Sequence, residues 1–236
     1  ALTHAGVRPN ALAGFSLGEC TALAYAGVFA PGDGLRFVME RAELMDAASR
    51  ENPGRMAAVL KLPDEDVAVL CREVGAHAVN FNAPGQVVAS GTDEQLKALG
   101  PLAQARGGRM LPLKVSGAFH SPHMFEAGMA VERILGSYRL HAPALPVYSN
   151  DTALPYGPDI AVGLSRQVYH PVYWAATVRN MARDGITDFI EVGPGATLTN
   201  LIKRTLPDAN AINVENADQV HAAVARYGEG TARADR

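Results

Sequence analysis

The sequence predicts an α/β fold in which a large domain with a parallel sheet is interrupted by a smaller subdomain. Three observations carry this expectation. Apolar runs of strand length alternate with helical stretches in both flanking parts of the chain. Between them, six segments follow in the order strand, helix, strand, strand, helix, strand. The third observation is local: Gly14-Phe15-Ser16-Leu17-Gly18 sits where a short strand gives way to a helix.

Taken in order, residues 1–9 read as the tail of a helix ending at Gly6, with no Met and no strand ahead of it, so the chain looks truncated. Ala11-Leu12-Ala13 is a short apolar strand, and residues 17–26 are helical up to Gly27, a natural C-terminal cap. Residues 35–49 carry apolar side chains at helical spacing, between Pro31-Gly32-Asp33-Gly34 and Asn52-Pro53-Gly54. Then come strands at 56–62, 77–81, 86–90 and 109–115, with helices at 64–74 and 92–106. Asn82-Ala83-Pro84-Gly85 supplies the turn between the two inner strands. This βαββαβ order matches a split βαβ, ferredoxin-like unit, placed at residues 55–114 within a large domain of 1–54 and 115–236. Ser121-Pro122 opens a helix running to residue 135, with Ser as N-cap and Pro at the first helical position. A strand at 145–150, helices at 159–168 and 174–184, a buried strand at 187–192 and a helix at 197–206 complete the pattern. Residues 228–236 are small and polar and read as a frayed end.

Composition narrows the function classes. The 236 residues are 48% apolar with a formal net charge of −3, as in ordinary globular proteins. Basic residues are scattered, Lys203-Arg204 being the longest run, which argues against a nucleic-acid surface. No stretch approaches the ~20 apolar residues that cross a bilayer, and residues 1–10 lack the features of a signal peptide. A cytoplasmic protein without a membrane partner is expected. Cys20 and Cys71 lie far apart in apolar helical patterns, so they read as small core residues rather than a disulfide or metal pair.

In G-x-S-x-G, the serine occupies a strained strand-to-helix turn, and the two glycines remove side chains that would clash there. Ser16 would stand at a helix N-terminus, where the free N–H of Leu17 favours a developing oxyanion. The plainer alternative is a glycine-flanked turn serine. A hydroxyl nucleophile also needs a base from elsewhere in the chain. Of the seven histidines, His4, His77, His141 and His221 read as surface or packing residues, and His170 precedes Pro171. His120 ends a small apolar loop, Gly117-Ala118-Phe119-His120, directly after a strand, and on these grounds stands open between a catalytic and a structural part. His123 and His120 lack the third ligand that a metal site needs.

Several separated motifs then point one way. Gly14-Phe15-Ser16-Leu17-Gly18-Glu19, Arg41 followed by Met45, and Asn82 with Pro84-Gly85-Gln86 come first. Gly117-Ala118-Phe119-His120-Ser121, Ser165-Arg166-Gln167 before Pro171 and Trp174, and Val192-Gly193-Pro194-Gly195 follow. In this order they resemble the malonyl-CoA:acyl-carrier-protein transacylases and the acyltransferase domains of polyketide synthases, from the first residues to about Leu206. The resemblance implies a hydrolase-like large domain with a ferredoxin-like insert. It implies ping-pong transfer of a malonyl group from malonyl-CoA to the phosphopantetheine thiol of an acyl carrier protein, for fatty-acid or polyketide synthesis. Ser16 would be the acylated nucleophile, His120 the general base and then acid, and Gln167 the residue whose backbone carbonyl orients the imidazole. Leu17 would supply an oxyanion donor, with Arg41, Phe119, Phe15 and Asn82 on the substrate side. No metal or organic cofactor is implied.

Arg41 is also telling on physical grounds. It interrupts the otherwise apolar helix face Val38-Arg41-Met45-Ala48, and a guanidinium cannot give up its charge. A malonyl carboxylate would pair with it, whereas acetyl would leave the charge unpaired at a cost on the order of several kcal/mol. The alternative is an internal ion pair with Glu19 or another acid. Phe119 would leave little room for a 2-methyl branch.

Two departures from the family pattern stand out. Phe15 occupies a position where the family usually has histidine, which bears on acyl preference. The family's glycine-rich segment with a second oxyanion donor would precede Ala1, and losing such a donor typically costs ~10²- to 10³-fold in rate. The chain as given is therefore expected to be weakly active. Rival readings are a sibling acyltransferase of the polyketide-synthase or malonate decarboxylase type, a serine thioesterase or lipase-type hydrolase, and a non-catalytic module that binds carrier protein. The hydrolase would normally place an acid between serine and histidine in the chain and has no use for Arg41.

Overall fold

The computed structural model describes residues 1–228; the frayed end expected from the sequence lies, from residue 229 on, outside the described residues. Near the N-terminus, residues 1–7 form hydrogen-bonded turns closed by Gly6 at φ 85°, not the helical tail that the sequence suggests. Strand β1 (Leu12–Ala13) leads through Gly14 into helix α1 (Leu17–Tyr25). Helix α2 (Asp33–Glu51) is longer at both ends than its apolar spacing predicts. Asp33 in its first turn and Arg50 in its last complement the helix dipole, and both form ion pairs one turn along, to Arg36 and Asp46.

Next come β2 (Arg55–Leu60), α3 (Asp64–Glu73), β3 (His77–Ala83), β4 (Gln86–Gly91), α4 (Asp93–Ala105) and β5 (Arg109–Pro112). All six elements appear in the predicted order, with ends within about three residues of those expected. The four strands form an antiparallel sheet in the order β3-β4-β2-β5. α4 starts on a capping box, with the Thr92 side chain accepting from the Gln95 N–H and the Gln95 side chain accepting from the Thr92 N–H. Helices α3 and α4 cover one face of the sheet with a wholly apolar cluster that includes Val59, Val67, Leu70, Val87 and Leu99. The outer edge of β3 is not free: Phe81 donates to the Val172 carbonyl at 2.9 Å, and Val172 donates to that of Val79 at 2.7 Å. β5 ends at Pro112, three residues before the predicted end. Beyond it Leu113 N–H still reaches the Met56 carbonyl at 2.9 Å, and the chain then bridges Gly117 to Pro53.

The helix expected over 121–135 is a 3-10 turn, Pro122–Met124, followed by α5 (Phe125–Leu135). Ser121 causes the tight start, because its hydroxyl accepts from the His123 N–H and also donates to the Ala118 carbonyl at 2.6 Å. After α5 come β6 (Val147–Tyr148), α6 (Ile160–Tyr169), α7 (Trp174–Arg183), β7 (Asp188–Val192), α8 (Thr197–Thr205), β8 (Asn210–Val214) and α9 (Ala217–Tyr227). β8 is a strand that the sequence pattern did not mark.

β6 pairs parallel with β1, and β8 pairs parallel with β7. Among the described residues these are two separate parallel pairs, not the one continuous sheet expected. An apolar cluster with Tyr148, Trp174, Val178, Phe189 and Leu201 joins them through side chains rather than hydrogen bonds. The largest cluster packs α1, α2, α5 and α6 together through residues such as Leu23, Phe37, Met124, Leu135 and Leu164. Cys20 and Cys71 are free and buried, as their apolar settings predict. No helix of the described residues is long and apolar enough to cross a membrane.

Candidate active site

Because β1 and β6 run parallel, with Ala13 beside Tyr148, the residues just past their C-terminal ends meet on one side. Ser16 follows β1 and Asn150 follows β6. Between them Gly14 permits a very close approach: a Cβ there would lie 1.9 Å from the Gly18 carbonyl carbon. Gly18 itself faces open space, so only the first glycine of the motif is sterically required, a correction to the reading of both as clash-relieving. Ser16 is the N-cap of α1 at φ 50°, ψ −101°, and its side chain makes no capping bond. A non-glycine residue in that conformation is strained and persists only where its surroundings hold it. The Ser16 N–H donates to Asn150 Oδ1 at 2.7 Å, and Asn150 Nδ2 donates to the Gly14 carbonyl at 2.7 Å.

The Ser16 hydroxyl is therefore free to meet His120, whose Nε2 lies 2.9 Å from Oγ. His120 also has a positive φ, 60°, and is held by its own N–H to the Val168 carbonyl at 3.2 Å. Its Nδ1 sits 2.9 Å from the Gln167 carbonyl. A carbonyl only accepts, so Nδ1 carries the proton and Nε2 presents its lone pair to the serine. The sequence explains why that carbonyl is free. The helical partner of Gln167 would be residue 171, and Pro171 has no N–H. Burial, reinforced by the nearby Arg41 charge, pushes the imidazole down to about 4, against the opposing pull of the backbone carbonyls. His120 is neutral at pH 7.

Arg41 projects from α2 into the same place and is 5% exposed. Its Nη2 donates to Gln167 Oε1 at 2.8 Å and lies 3.4 Å from Ser16 Oγ; its Nε is buried without a partner. No carboxylate of the described residues forms an ion pair with it. Glu19, the acid that the sequence offered, instead accepts from the Tyr156 hydroxyl at 2.6 Å and the Asn150 N–H at 3.1 Å. Burial raises the Glu19 carboxyl to about 7 despite these bonds. Gln167 closes the set, because its Nε2 donates to the Ser16 carbonyl at 2.8 Å.

Ser16, His120, Gln167 and Arg41 are thus brought into one hydrogen-bonded group. Leu17 exposes its side chain, while its backbone N–H stands at the first helical position, where the helix offers no acceptor. The remaining sequence candidates are not bonded into the group. Phe119 half-buries its ring and lines a cleft of about 450 Å³ with Arg55, Lys114 and Val115. Phe15 packs against Trp174 at 5.7 Å between ring centres. Asn82 is buried on β3 with its Oδ1 unpartnered and no hydrogen bond to Ser16, His120 or Arg41. Asn150, Tyr156 and the side chain of Gln167 were missed. Only Asn150 carried a signal, a polar run Ser149-Asn150-Asp151 at the carboxyl end of a strand in an α/β pattern, where ligand sites gather.

A serine oxygen facing a buried neutral imidazole, at a helix N-terminus and beside a fixed cation, is equipped for nucleophilic acyl transfer. The chain belongs to the acyl transferase domain family, whose model matches residues 1–225. It is 38% identical over 223 residues to a malonyl CoA-acyl carrier protein transacylase of Synechocystis, covering 93% of this chain and 74% of that protein. It is 41% identical over 204 residues to the polyketide biosynthesis protein ThaF of Burkholderia thailandensis, covering 84% of this chain but only 17% of ThaF. Among solved structures, the malonyl-CoA:acyl carrier protein transacylase of Xanthomonas oryzae superposes with a TM-score of 0.92 at 35% identity, over 96% of this chain and 74% of that one. A malonyl-transacylase in complex with a type II polyketide-synthase acyl-carrier protein matches equally well, with a TM-score of 0.92 at 34% identity, over 95% and 75% of the two chains.

Proposed function

We propose that this chain transfers a malonyl group from malonyl-CoA to the phosphopantetheine thiol of an acyl carrier protein, through an acyl-Ser16 intermediate. The observation that carries the reading is the buried Arg41 guanidinium 3.4 Å from Ser16 Oγ, its Nε without a partner and no carboxylate of the described residues in an ion pair with it. The malonyl carboxylate supplies that partner, and its pairing with Arg41 places the thioester carbonyl beside Ser16. His120 Nε2 takes the Ser16 proton as Oγ attacks, and the Leu17 N–H receives the developing oxyanion. Collapse of the tetrahedral intermediate expels the CoA thiol, which leaves with the proton from His120. The carrier thiol then gives its proton to His120 and attacks the acyl-serine, and the serine leaves with that proton.

The charge of Arg41 also depresses His120, so a bound carboxylate that offsets this charge raises the basicity of the imidazole in the complex. Phe119, Phe15 and Asn82 are assigned to the substrate side by likeness to the family. The architecture fits a hydrolase-like large domain, 1–54 and 115–236, with a ferredoxin-like insert at 55–114. Strand order β3-β4-β2-β5 in a βαββαβ unit supports the insert. Two unpaired cysteines agree with a cytoplasmic setting. Relatives named for polyketide biosynthesis leave the acceptor either a fatty-acid or a polyketide carrier, to be separated by acceptor assays.

The test is the intact mass of the full chain after brief exposure to malonyl-CoA, acetyl-CoA or methylmalonyl-CoA. A malonyl adduct is expected, absent in Ser16→Ala and weakened in Arg41→Ala. No adduct from any acyl-CoA would sink the proposal.

A further inference from the structure

The backbone at Ser16 needs an external hold. α1 begins directly after it, its conformation is one that L residues rarely adopt, and β1 is only two residues long. A strand that short contributes few ladder bonds to fix the turn beyond it. Gln167 holds the Ser16 carbonyl, and the hold on the Ser16 N–H and on Gly14 comes from a buried side chain on the neighbouring strand's exit. Asn150 is fully buried, and its amide grips both sides of the turn, accepting from the Ser16 N–H and donating to the Gly14 carbonyl, each at 2.7 Å. Its own N–H is anchored on Glu19, which is anchored in turn on the Tyr156 hydroxyl.

We infer that Asn150 is a positioning residue of this site, a clamp that holds Ser16 in its strained conformation with Oγ at bonding distance from His120 Nε2. The inference rests on Ser16 being the acylated residue. Asn150 does not touch the reacting atoms; it acts on them only through the backbone of residues 14 and 16. Its bond to the Ser16 N–H also takes that donor out of the oxyanion set, leaving the Leu17 N–H on this side.

Two substitutions test the clamp, each read by single-turnover acylation of Ser16 with malonyl-CoA and by thermal melting. Asn150→Ala removes both bonds, and the acylation rate constant is expected to fall about 10²-fold with little change in half-saturation, as for a nucleophile displaced on the order of 1 Å. Asn150→Asp distinguishes a clamp from mere filling of space. A neutral carboxyl copies the amide, its C=O accepting from Ser16 and its O–H donating to Gly14; a carboxylate cannot donate and repels the Gly14 oxygen. This variant is therefore expected to acylate best at the lowest pH at which His120 is still neutral, and to lose rate as pH rises from there. The wild type keeps its amide at every pH, gains rate as the buried His120 loses its proton, and is not expected to share this fall. The charged or titratable groups around position 150 are Glu19, Tyr156, Arg41 and His120, with Asp151, Arg166 and His170 beside it, and both proteins share all of them.

An Asn150→Ala protein that is acylated at the wild-type rate overturns the inference. So does an Asn150→Asp protein whose pH profile parallels the wild type, and this decides the matter if Asn150→Ala does not fold. A wild-type chain that malonyl-CoA fails to acylate overturns the assignment of Ser16 itself, a different failure seen in the same assay.

Discussion

The surroundings of Ser16 and the four-stranded sheet of β2 to β5 are built on opposite plans. The sheet has strands of four to seven residues, a capping box and an apolar cluster beneath its two helices, with Asn80, Asn82 and Ser90 as its buried polar side chains. The Ser16 region has strands of two residues, two non-glycine residues at positive φ, and buried Glu19, Arg41, His120, Asn150 and Gln167. The sheet follows most local rules of folding, with Lys61 at φ 68° and Pro101 inside α4 as its exceptions, whereas the Ser16 region gathers several violations in one place and repairs them with hydrogen bonds. Agreement between local and global preferences marks stability; organised disagreement marks a working site.

Substitutions in the two regions should separate activity from stability, and the largest effect is expected at Gly14. Gly14→Ala drives a Cβ into the backbone of α1, so acylation of Ser16 by malonyl-CoA should be lost, as followed by intact mass. Next, Leu99→Ala, in the apolar cluster of the sheet, should cost about 2–5 kcal/mol in denaturant unfolding and leave the acylation rate of the folded protein unchanged. A large rate effect there would break the separation between the regions.

Glu19→Gln gives a smaller, pH-dependent effect. The folded protein holds the Glu19 proton up to about 7, against 4.5 for an ordinary glutamate. The resulting stabilisation is fully present below 4.5 and is lost as pH rises through 7. Melting temperatures of the wild type and Glu19→Gln should therefore converge in acid and separate towards pH 8, with the variant higher. Thr92→Ala removes the helix cap of α4 and should cost about 1 kcal/mol at every pH. The smallest change is expected for Gly18→Ala, which meets open space on a helix and should melt no lower than the wild type. Loss of acylation without loss of stability there would show that substrate uses that space.

The same contrast explains what could be read from the chain. The βαββαβ order was legible because each segment carries its own period and its own turn residues, as at Asn82-Ala83-Pro84-Gly85. Ser16 and its turn were legible for the same local reason, and Pro171 shows in the sequence alone that the Gln167 carbonyl lacks a helical partner. The features that escaped were contacts created by tertiary pairing. Asn150 meets Ser16 across 134 positions only because β1 and β6 align, and two-residue strands announce no register. Glu19 offered itself as a partner for Arg41 but turned to Tyr156, a residue that no local pattern singles out. The break between the two parallel pairs was likewise invisible, since periodicity marks strands but not which strands are hydrogen-bonded together.

The two borders of the four-stranded sheet also bear on edge-to-edge pairing with another chain. An unpaired strand edge is a template for another chain. At β3 that template is occupied from within, by Val172. At β5 it is brief: four residues, beginning with exposed Arg109 and ending at Pro112, which has no N–H to offer. A lengthened β5 without that proline would present the intermolecular pairing surface that this sheet otherwise withholds.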